Sequence, residues 1–383
     1  MTKVMTIIGT RPEGIKMAPV ARALEASEYM ESILLNTAQH RDMLDQVLDL
    51  FHLVPDYDLN IMKAGQRLEE LTVRLFEGIT PILEKEKPDV VLVHGDTTTT
   101  FIGAYASFLR QIPVGHVEAG LRTNTLYSPF PEELNRQMVG RLAAYHFAAT
   151  EKNRQNLLKE NARPDSIAVV GNTVIDALLE ISERPFEFDD ELKPIFENGK
   201  RTILLTTHRR ENLEEMEQVY RAVQRIVQQH DDIQVVFPVH KNPVIRQKVM
   251  REFVDMKNIY LIEPLGYEQF VHVMKQSYLV ITDSGGIQEE APALGKPVLV
   301  ARNTTERPEG VEAGTLKLVG TSEEAIVTAG ETLLNDEKAY QQMAAVRNPF
   351  GEGNASRQIV DFLQSAGGQM EPAGIDRKQV LYR

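Results

Sequence analysis

The 383-residue sequence contains no cysteine. Disulfides, thiolate zinc sites, iron–sulfur clusters and a cysteine nucleophile are therefore excluded. Positive charge is in deficit: 42 Lys and Arg stand against 55 Asp and Glu, for a formal net charge of −13. A chain this acidic is not built to hold nucleic acid or anionic lipid over a broad face, although a few converging Arg or Lys can still bind a small anion. No apolar run reaches the roughly 18–20 residues that span a bilayer. The N-terminus passes from Met1 directly into a strand pattern, with no signal-peptide h-region. These absences predict a cytoplasmic protein with no membrane and no nucleic-acid partner.

What is present is ordinary globular composition, 42% apolar and 25% charged. At roughly 150 residues per domain, the length predicts two domains. Short β-rich runs at Val4–Ile8, Ser32–Asn36, Val90–Val93 and Val114–Val117 alternate with helical patterns such as Glu13–Ala26 and Thr98–Leu109. Two more such units end near Ile181. Residues 182–200 are acidic, carry two prolines and read as a linker or a short helix within one. The alternation restarts with strand patterns at Thr202–Leu205, Val235–Pro238, Ile259–Ile262, Leu279–Thr282 and Val298–Ala301, and a helical pattern over Leu213–Gln229. The prediction is an α/β protein of two doubly wound, Rossmann-like domains, 1–181 and 182–383, facing a central cleft. Ligands of open parallel sheets bind beyond the carboxyl ends of the strands, so the residues that follow each strand are the candidates for chemistry.

After the first strand comes Gly9-Thr10-Arg11-Pro12-Glu13-Gly14-Ile15-Lys16. It is neither the dinucleotide fingerprint nor a Walker A loop. Arg11 and Lys16 could face an anion at the helix start, or be solvated cations beside a cap in which Glu13 suits the first turn. Asp96, after the strand Val90–Val93, is either an N-cap or a cleft carboxylate. Glu118 ends the next strand, and is either the partner of Asp96 in an acid/base pair or the salt-bridge partner of Arg122. Glu132 opens a helix after Pro129-Phe130-Pro131, where an acid also suits the helix dipole. In the second half, His208-Arg209-Arg210 follows a strand, and His240-Lys241 repeats the arrangement one strand later. Asp283-Ser284-Gly285-Gly286 joins a strand to a helix, where free N–H groups and the dipole favour an anion. Glu290, about one turn further in, could accept from ribose hydroxyls. Of the pair Arg302 and Arg307, Arg307 is the cleft candidate and Arg302 the structural one.

Taken in order, these motifs resemble the non-hydrolysing UDP-N-acetylglucosamine 2-epimerases along nearly the whole chain. The matching segments are 9–16, 93–97, 117–122, 129–136, 208–212, 283–291 and 304–309. The resemblance implies the GT-B type of two-domain fold, with the last helix (about 355–366) crossing back to the first domain. It implies interconversion of UDP-GlcNAc and UDP-ManNAc with no cofactor and no metal, UDP as a further ligand, a homodimer, and a role in supplying ManNAc to cell-surface polysaccharide. UDP contacts fall on Arg11, Lys16, His208, Phe270, Ser284, Gly285, Gly286, Glu290 and Arg307. The acid/base group falls on Asp96, Glu118 and Glu132, with His208 also expected to act on the departing diphosphate.

The chemistry this implies follows from the substrate. C2 bears a hydrogen with no adjacent carbonyl, so simple deprotonation is unfavourable. Expelling UDP leaves an oxocarbenium-like C1 that acidifies C2–H, and loss of that proton gives a glycal. UDP then adds back with protonation on the opposite face. Domain closure is the expected means of excluding water. A local cluster of Arg11, Lys16, Arg209 and Arg307 is expected to make the cleft less acidic than the whole chain.

The chain departs from the family pattern at several positions. Gly14 stands for the usual Ala, which should loosen the first helix by about 1 kcal/mol. Leu265 stands where some members have Gln, so any contact there is expected through the backbone. Some members bind a second UDP-GlcNAc as an activator, and Gln39, His40, Arg209 and His240 match that allosteric site. Asp42 replaces an expected Gln and Gly65 an expected Arg, which should weaken a diphosphate site. A glycosyltransferase, a hydrolysing 2-epimerase and a UDP-sugar sensor remain as rival readings.

Overall fold

The computed structural model describes residues 1–366 apart from 40, 64, 208–212, 240, 241 and 255. The chain divides into two compact units. Unit 1 holds Met1–Ala177 and the segment from Gly351 onward, and unit 2 holds Leu178–Phe350. The first crossing thus falls between Ala177 and Leu178, and the acidic segment 182–200 lies wholly in unit 2.

Unit 1 begins with β1 (Thr2–Ile8), α1 (Arg11–Glu25), β2 (Met30–Asn36), α2 (Arg41–Leu50) and β3 (Tyr57–Asp58). It continues with α3 (Leu68–Glu86), β4 (Val90–His94), α4 (Thr98–Leu109), β5 (Val114–Ala119) and α5 (Glu132–Leu142). Then come β6 (Tyr145–Ala148), α6 (Glu151–Lys159), β7 (Ile167–Val169) and α7 (Thr173–Glu183), which runs on into unit 2. The seven strands form one sheet in the order β3-β2-β1-β4-β5-β6-β7, parallel throughout. Every residue of β4 is buried, as a strand must be when helices cover both faces of the sheet. The order reverses between β1 and β4, and the crevice at such a switch point opens at the carboxyl ends, here at Gly9 and Gly95.

Unit 2 contains α8 (Lys193–Glu197), β8 (Arg201–Thr206), α9 (Leu213–Gln229), β9 (Ile233–Pro238) and α10 (Pro243–Glu252). These are followed by β10 (Ile259–Ile262), α11 (Tyr267–Gln276), β11 (Leu279–Thr282), α12 (Gly285–Ala293) and β12 (Val298–Val300). Last come α13 (Pro308–Ala313), β13 (Leu316–Leu318), α14 (Glu323–Asn335) and α15 (Glu337–Ala344). The six strands run parallel in the order β10-β9-β8-β11-β12-β13. Alternate residues feed opposite cores, Ile203, Leu205 and Ile281 on one face and Leu204, Val236 and Val280 on the other. The switch point lies between β8 and β11, which end at Thr206 and Thr282.

The final helix, α16 (Ala355–Ala366), belongs to unit 1 and packs on α1. Asp176 caps it, accepting from Ser356 N at 2.8 Å, Ser356 Oγ at 2.6 Å and Ala355 N at 3.2 Å. Phe362 meets Phe147 edge-on at 5.4 Å between ring centroids. Burial raises the Asp176 carboxyl, outweighing the hydrogen bonds that favour its charge. Among the described residues no helix is long and apolar enough to cross a membrane.

Candidate active site

β4 ends at His94, and Gly95 turns the chain with φ +69°. Of the two readings of Asp96, the cap falls away: Thr97 is the N-cap of α4 and accepts from Thr100 N. Asp96 is instead held by α5. Arg136 donates to Asp96 Oδ2 from Nε at 2.9 Å and from Nη2 at 2.6 Å, while Asn135 Nδ2 donates to the Asp96 carbonyl at 2.8 Å. The Asn135-Arg136 end of the Pro129–Arg136 motif thus serves the carboxylate of the motif at 93–97.

β5 lies beside β4, with His94 opposite Val117. On its other side its register with β6 shifts between Val117 and Ala119, and Glu118 takes φ +62°. A left-handed non-glycine residue costs about 1–2 kcal/mol, and here it carries a carboxylate that three elements hold. Lys16 of α1 forms an ion pair with Glu118 Oε2, Asn172 Nδ2 donates to the same oxygen at 2.9 Å, and His94 Nε2 stands 3.7 Å away. Burial raises the Glu118 carboxyl, but the Lys16 ammonium and His94 outweigh it and hold the group well below the usual range. The Arg122 alternative is not what the fold adopts, since Arg122 pairs with Glu160 through two bonds of 2.7 and 2.8 Å. Arg11 and Lys16 are therefore not a joint pair of open cations. Lys16 has a carboxylate partner, while half-buried Arg11 makes no ion pair among the described residues.

Glu132 and Glu133 open α5 together but sit in opposite surroundings. Glu132 is half-buried, and its side chain has no hydrogen bond or ion pair among the described residues. Glu133 is fully buried and accepts from Thr123 N, Asn124 N, Arg136 Nη1 and Gln137 Nε2 at 3.0–3.2 Å. Burial raises its carboxyl and these bonds lower it further, leaving it below the usual range. Glu133 thus shapes the loop leading to the helix, and Glu132 is the free acid.

Glu13 does more than complement a dipole. Its buried carboxylate accepts from Gly9 N at 3.0 Å, Thr10 N at 2.7 Å, Thr97 Oγ1 at 2.7 Å and Thr100 Oγ1 at 2.9 Å. It clamps the β1–α1 turn to the β4–α4 turn. The adjacent Gly14 is a packing glycine: a Cβ there would lie 2.4 Å from Leu44 Cδ1 and 3.3 Å from Val47 Cγ1. The expected loss of helix propensity is accompanied by a close approach of α1 and α2 that an alanine would obstruct.

In unit 2, Thr206 and Thr282 join their hydroxyls at 2.6 Å across the switch point, and Ser284 N donates to Thr282 Oγ1 at 3.0 Å. Ser284 is the N-cap of α12, which begins at Gly285. A Cβ on Gly285 would lie 3.8 Å from the Arg307 guanidinium, and one on Gly286 would lie 3.9 Å from Glu290 Oε2. The two glycines therefore lie between a guanidinium and a carboxylate, within contact distance of both. Arg307 is ion-paired with Glu289, and its backbone N–H donates to Thr305 Oγ1 at 3.0 Å. Tyr267 donates to Glu290 Oε1 at 3.4 Å, and Phe270 lies on the same helix as Tyr267, partly buried against the core. Leu265 packs against the same core. Arg302 is a structural arginine, bound through both Nη atoms to Glu306 at 2.9 and 3.0 Å. That pairing, against burial, brings the Glu306 carboxyl down to about 2.

Within unit 1 the fold gathers Arg11, Lys16, Asp96 and Glu118 at the carboxyl ends of β1, β4 and β5, with Glu132 opening α5. Within unit 2 it gathers Ser284, Gly285, Gly286, Glu290 and Arg307. Gln39 follows β2 and accepts from Thr99 Oγ1 at 2.8 Å. His40, His208, Arg209, His240 and the side chain of Asp42 lie outside the described residues. Sequence reasoning missed the groups that hold the carboxylates, Arg136, Asn172 and His94, and the clamp that Glu13 makes between two turns. Arg136 and His94 lie inside the matched segments 129–136 and 93–97, but nothing in those segments marks either as the partner of a carboxylate.

A family model described as UDP-N-acetylglucosamine 2-epimerase matches residues 22–364. The UDP-N-acetylglucosamine 2-epimerase of Escherichia coli (strain K12) is 54% identical over 370 residues, 95% of this chain and 98% of its own. That of Bacillus subtilis (strain 168) is 55% identical over 362 residues, 94% of each chain. The crystal structure of UDP-GlcNAc 2-epimerase from Neisseria meningitidis bound to UDP-GlcNAc superposes with a TM-score of 0.84 at 47% identity, over 95% of this chain and 100% of that one.

Proposed function

The chain belongs to the UDP-N-acetylglucosamine 2-epimerase family, and from that premise we propose that it interconverts UDP-GlcNAc and UDP-ManNAc by eliminating and re-adding UDP through a glycal. The C1–O bond breaks and UDP leaves with the electron pair. A carboxylate takes the C2 proton, leaving a C1–C2 double bond. Re-addition of UDP at C1 and of a proton at the other face of C2 gives the epimer.

One observation carries the reading: at the carboxyl ends of two adjacent strands stand two carboxylates, Asp96 just beyond β4 and Glu118 one residue before the end of β5, each matched to its own cation, Arg136 and Lys16. A carboxylate held well below its usual range is a weak base but a strong partner for positive charge. Glu118 accordingly steadies the oxocarbenium-like centre, and Asp96 and Glu132 serve the two faces of C2. In unit 2 the Ser284–Gly286 turn and Arg307 take the diphosphate, Glu290 the ribose and Phe270 the base, with His208 acting on the leaving group. Arg11, which makes no ion pair among the described residues, is the cation that unit 1 offers to the substrate. The product serves as a ManNAc source for cell-surface polysaccharide, and the enzyme works in the cytoplasm.

A homodimer is part of this proposal. α4 packs between α3 and α5, and these helices present Val73, Phe108, Leu109 and Met138 to solvent, with Phe108 52% and Leu109 51% exposed. A second copy would cover this face.

The deciding experiment is incubation of the purified protein with UDP-GlcNAc in D2O, without acceptor, followed by NMR. C2-deuterated UDP-ManNAc is expected. Free ManNAc would point to hydrolysis instead, and no turnover would overturn the epimerase reading in favour of a transferase or sensor.

A further inference from the structure

The turn that presents Asp96 is gripped at three successive residues. Thr97 Oγ1 donates to Glu13, and the Asp96 carbonyl accepts from Asn135. The Gly95 carbonyl accepts from His116 Nε2 at 2.8 Å, while Gly95 N donates to Val117 O at 2.9 Å. Gly95 is the left-handed residue of the turn, so its two bonds to β5 decide where the chain points next.

His116 lies mid-strand, with 0% exposure, opposite Val93 of β4 and His146 of β6. A carbonyl can only accept, so the contact fixes the tautomer with hydrogen on Nε2. Nδ1 has no hydrogen-bond partner. A strand interior that needed only packing would take an aliphatic residue here, as β5 does at Val114 and Val117. Burial keeps the ring neutral, against the bond to Gly95, with its pKa brought down to about 3.

We propose that His116 is a positioning residue for Asp96: its Nε2–H holds the Gly95 carbonyl and thereby the turn that sets the Asp96 carboxylate for work at C2. The inference rests on the epimerase reading above. It adds a buried, non-contacting residue to the machinery, acting through one backbone carbonyl.

The test compares His116→Leu, which removes the donor, with His116→Gln, whose amide N–H can replace it, each in the wild-type and Asp96→Asn backgrounds. His116→Leu is expected to lower kcat by roughly 30–100-fold, since displacement of a reacting group by about 1 Å costs about that much. KM should move by less than about threefold, and His116→Gln should recover at least about tenfold of the loss. In the Asp96→Asn background, the same His116→Leu exchange should cost no more than about twofold. Equal losses in both backgrounds, an unchanged kcat in His116→Leu, or a His116→Gln no better than His116→Leu would each overturn the proposal. Should His116→Leu not fold, the 15N shifts of His116 in the wild-type protein still decide, because an Nδ1–H tautomer overturns it and Nε2–H supports it. A wild-type protein that does not turn over UDP-GlcNAc defeats the epimerase reading and this inference with it. Wild-type turnover with an insensitive His116 defeats this inference alone.

Discussion

Lys16 and Glu118 are ion-paired across 102 positions of sequence, joining α1 to the end of β5. The pair places a counter-ion inside unit 1 for the carboxylate on its left-handed strand end. It also means that Lys16 and, in unit 2, Arg307 already face carboxylates. The local surplus of positive charge expected from Arg11, Lys16, Arg209 and Arg307 is smaller than the sequence suggests.

Replacing Lys16 should therefore show in the pH dependence. In Lys16→Met, burial acts on Glu118 without its main opponent, so its carboxyl rises. A rate that needs ionised Glu118 then fails at higher pH than in the wild type, with kcat at neutral pH reduced on the order of 10²-fold. Lys16→Arg, which keeps the ion pair, should restore the acid limb. An acid limb unmoved in Lys16→Met would refute the assignment.

Acid should weaken the fold from an unusually high pH. His116 stands opposite Val93 on β4 and His146 on β6, with Arg122 and His94 nearby, and its folded pKa is about 3 against 6.5 when free. Between those values the unfolded chain binds more protons, so stability is complete above the free value and falls as pH drops toward the folded one. The slope is at most about 1.4 kcal/mol per pH unit. Glu306, lowered to about 2 by Arg302, adds a loss only below 4.5. Asp176, raised by burial, works in the opposite sense. Urea titrations of the wild type and His116→Gln should diverge between about pH 6 and pH 4.5, the variant losing less.

Gly14→Ala tests packing against propensity. Helix propensity alone favours the alanine by about 1 kcal/mol. Its Cβ, however, would require Leu44 to move. The single variant should gain no stability, whereas the exchange should become favourable in a Leu44→Ala background, with a coupling of roughly 1 kcal/mol by a double-mutant cycle. A Gly14→Ala protein more stable by the full propensity would refute the packing role.

Phe108→Glu should break the proposed homodimer. A charge in the exposed apolar face of α3, α4 and α5 would be buried unpaired at a two-fold interface. Light scattering should show two copies for the wild type and one for the variant. A wild-type monomer at micromolar concentration would remove the proposal.

Asp42 and Gly65 predict weak substrate activation. Initial rates against UDP-GlcNAc should be close to hyperbolic, with a Hill coefficient of about 1. Asp42→Gln should move the curve toward sigmoidal behaviour. Clearly sigmoidal wild-type rates, relieved in Arg209→Ala, would contradict this.

The strand calendar of the fold was readable because parallel strands under two helical layers are continuous apolar runs. Ile259–Ile262 and Leu279–Thr282 were placed to the residue, as were the helices Thr98–Leu109 and Leu213–Gln229. Two-residue β3 and three-residue β13 are too short to carry a pattern. Asp96 and Glu118 were legible as acids after strands. Their partners were not, because Arg136, Lys16 and Asn172 reach them through tertiary contacts that no local spacing encodes. The role of Glu13 was hidden for a related reason: a glutamate in a first turn has an adequate local explanation, and its bonds to Thr97 and Thr100 come from 84 and 87 positions away.

Unit 1 is discontinuous, and this bears on how the chain is made. The sheet of unit 1 is translated before any of unit 2, yet α16, which packs on α1, emerges only after Phe350. Until Ala355 and Ser356 leave the ribosome, Asp176 lacks the three donors that answer its buried carboxylate. Unit 2, being continuous, can be completed first, and the unit that starts the sequence is the one whose last contacts can form only after unit 2 has been synthesised.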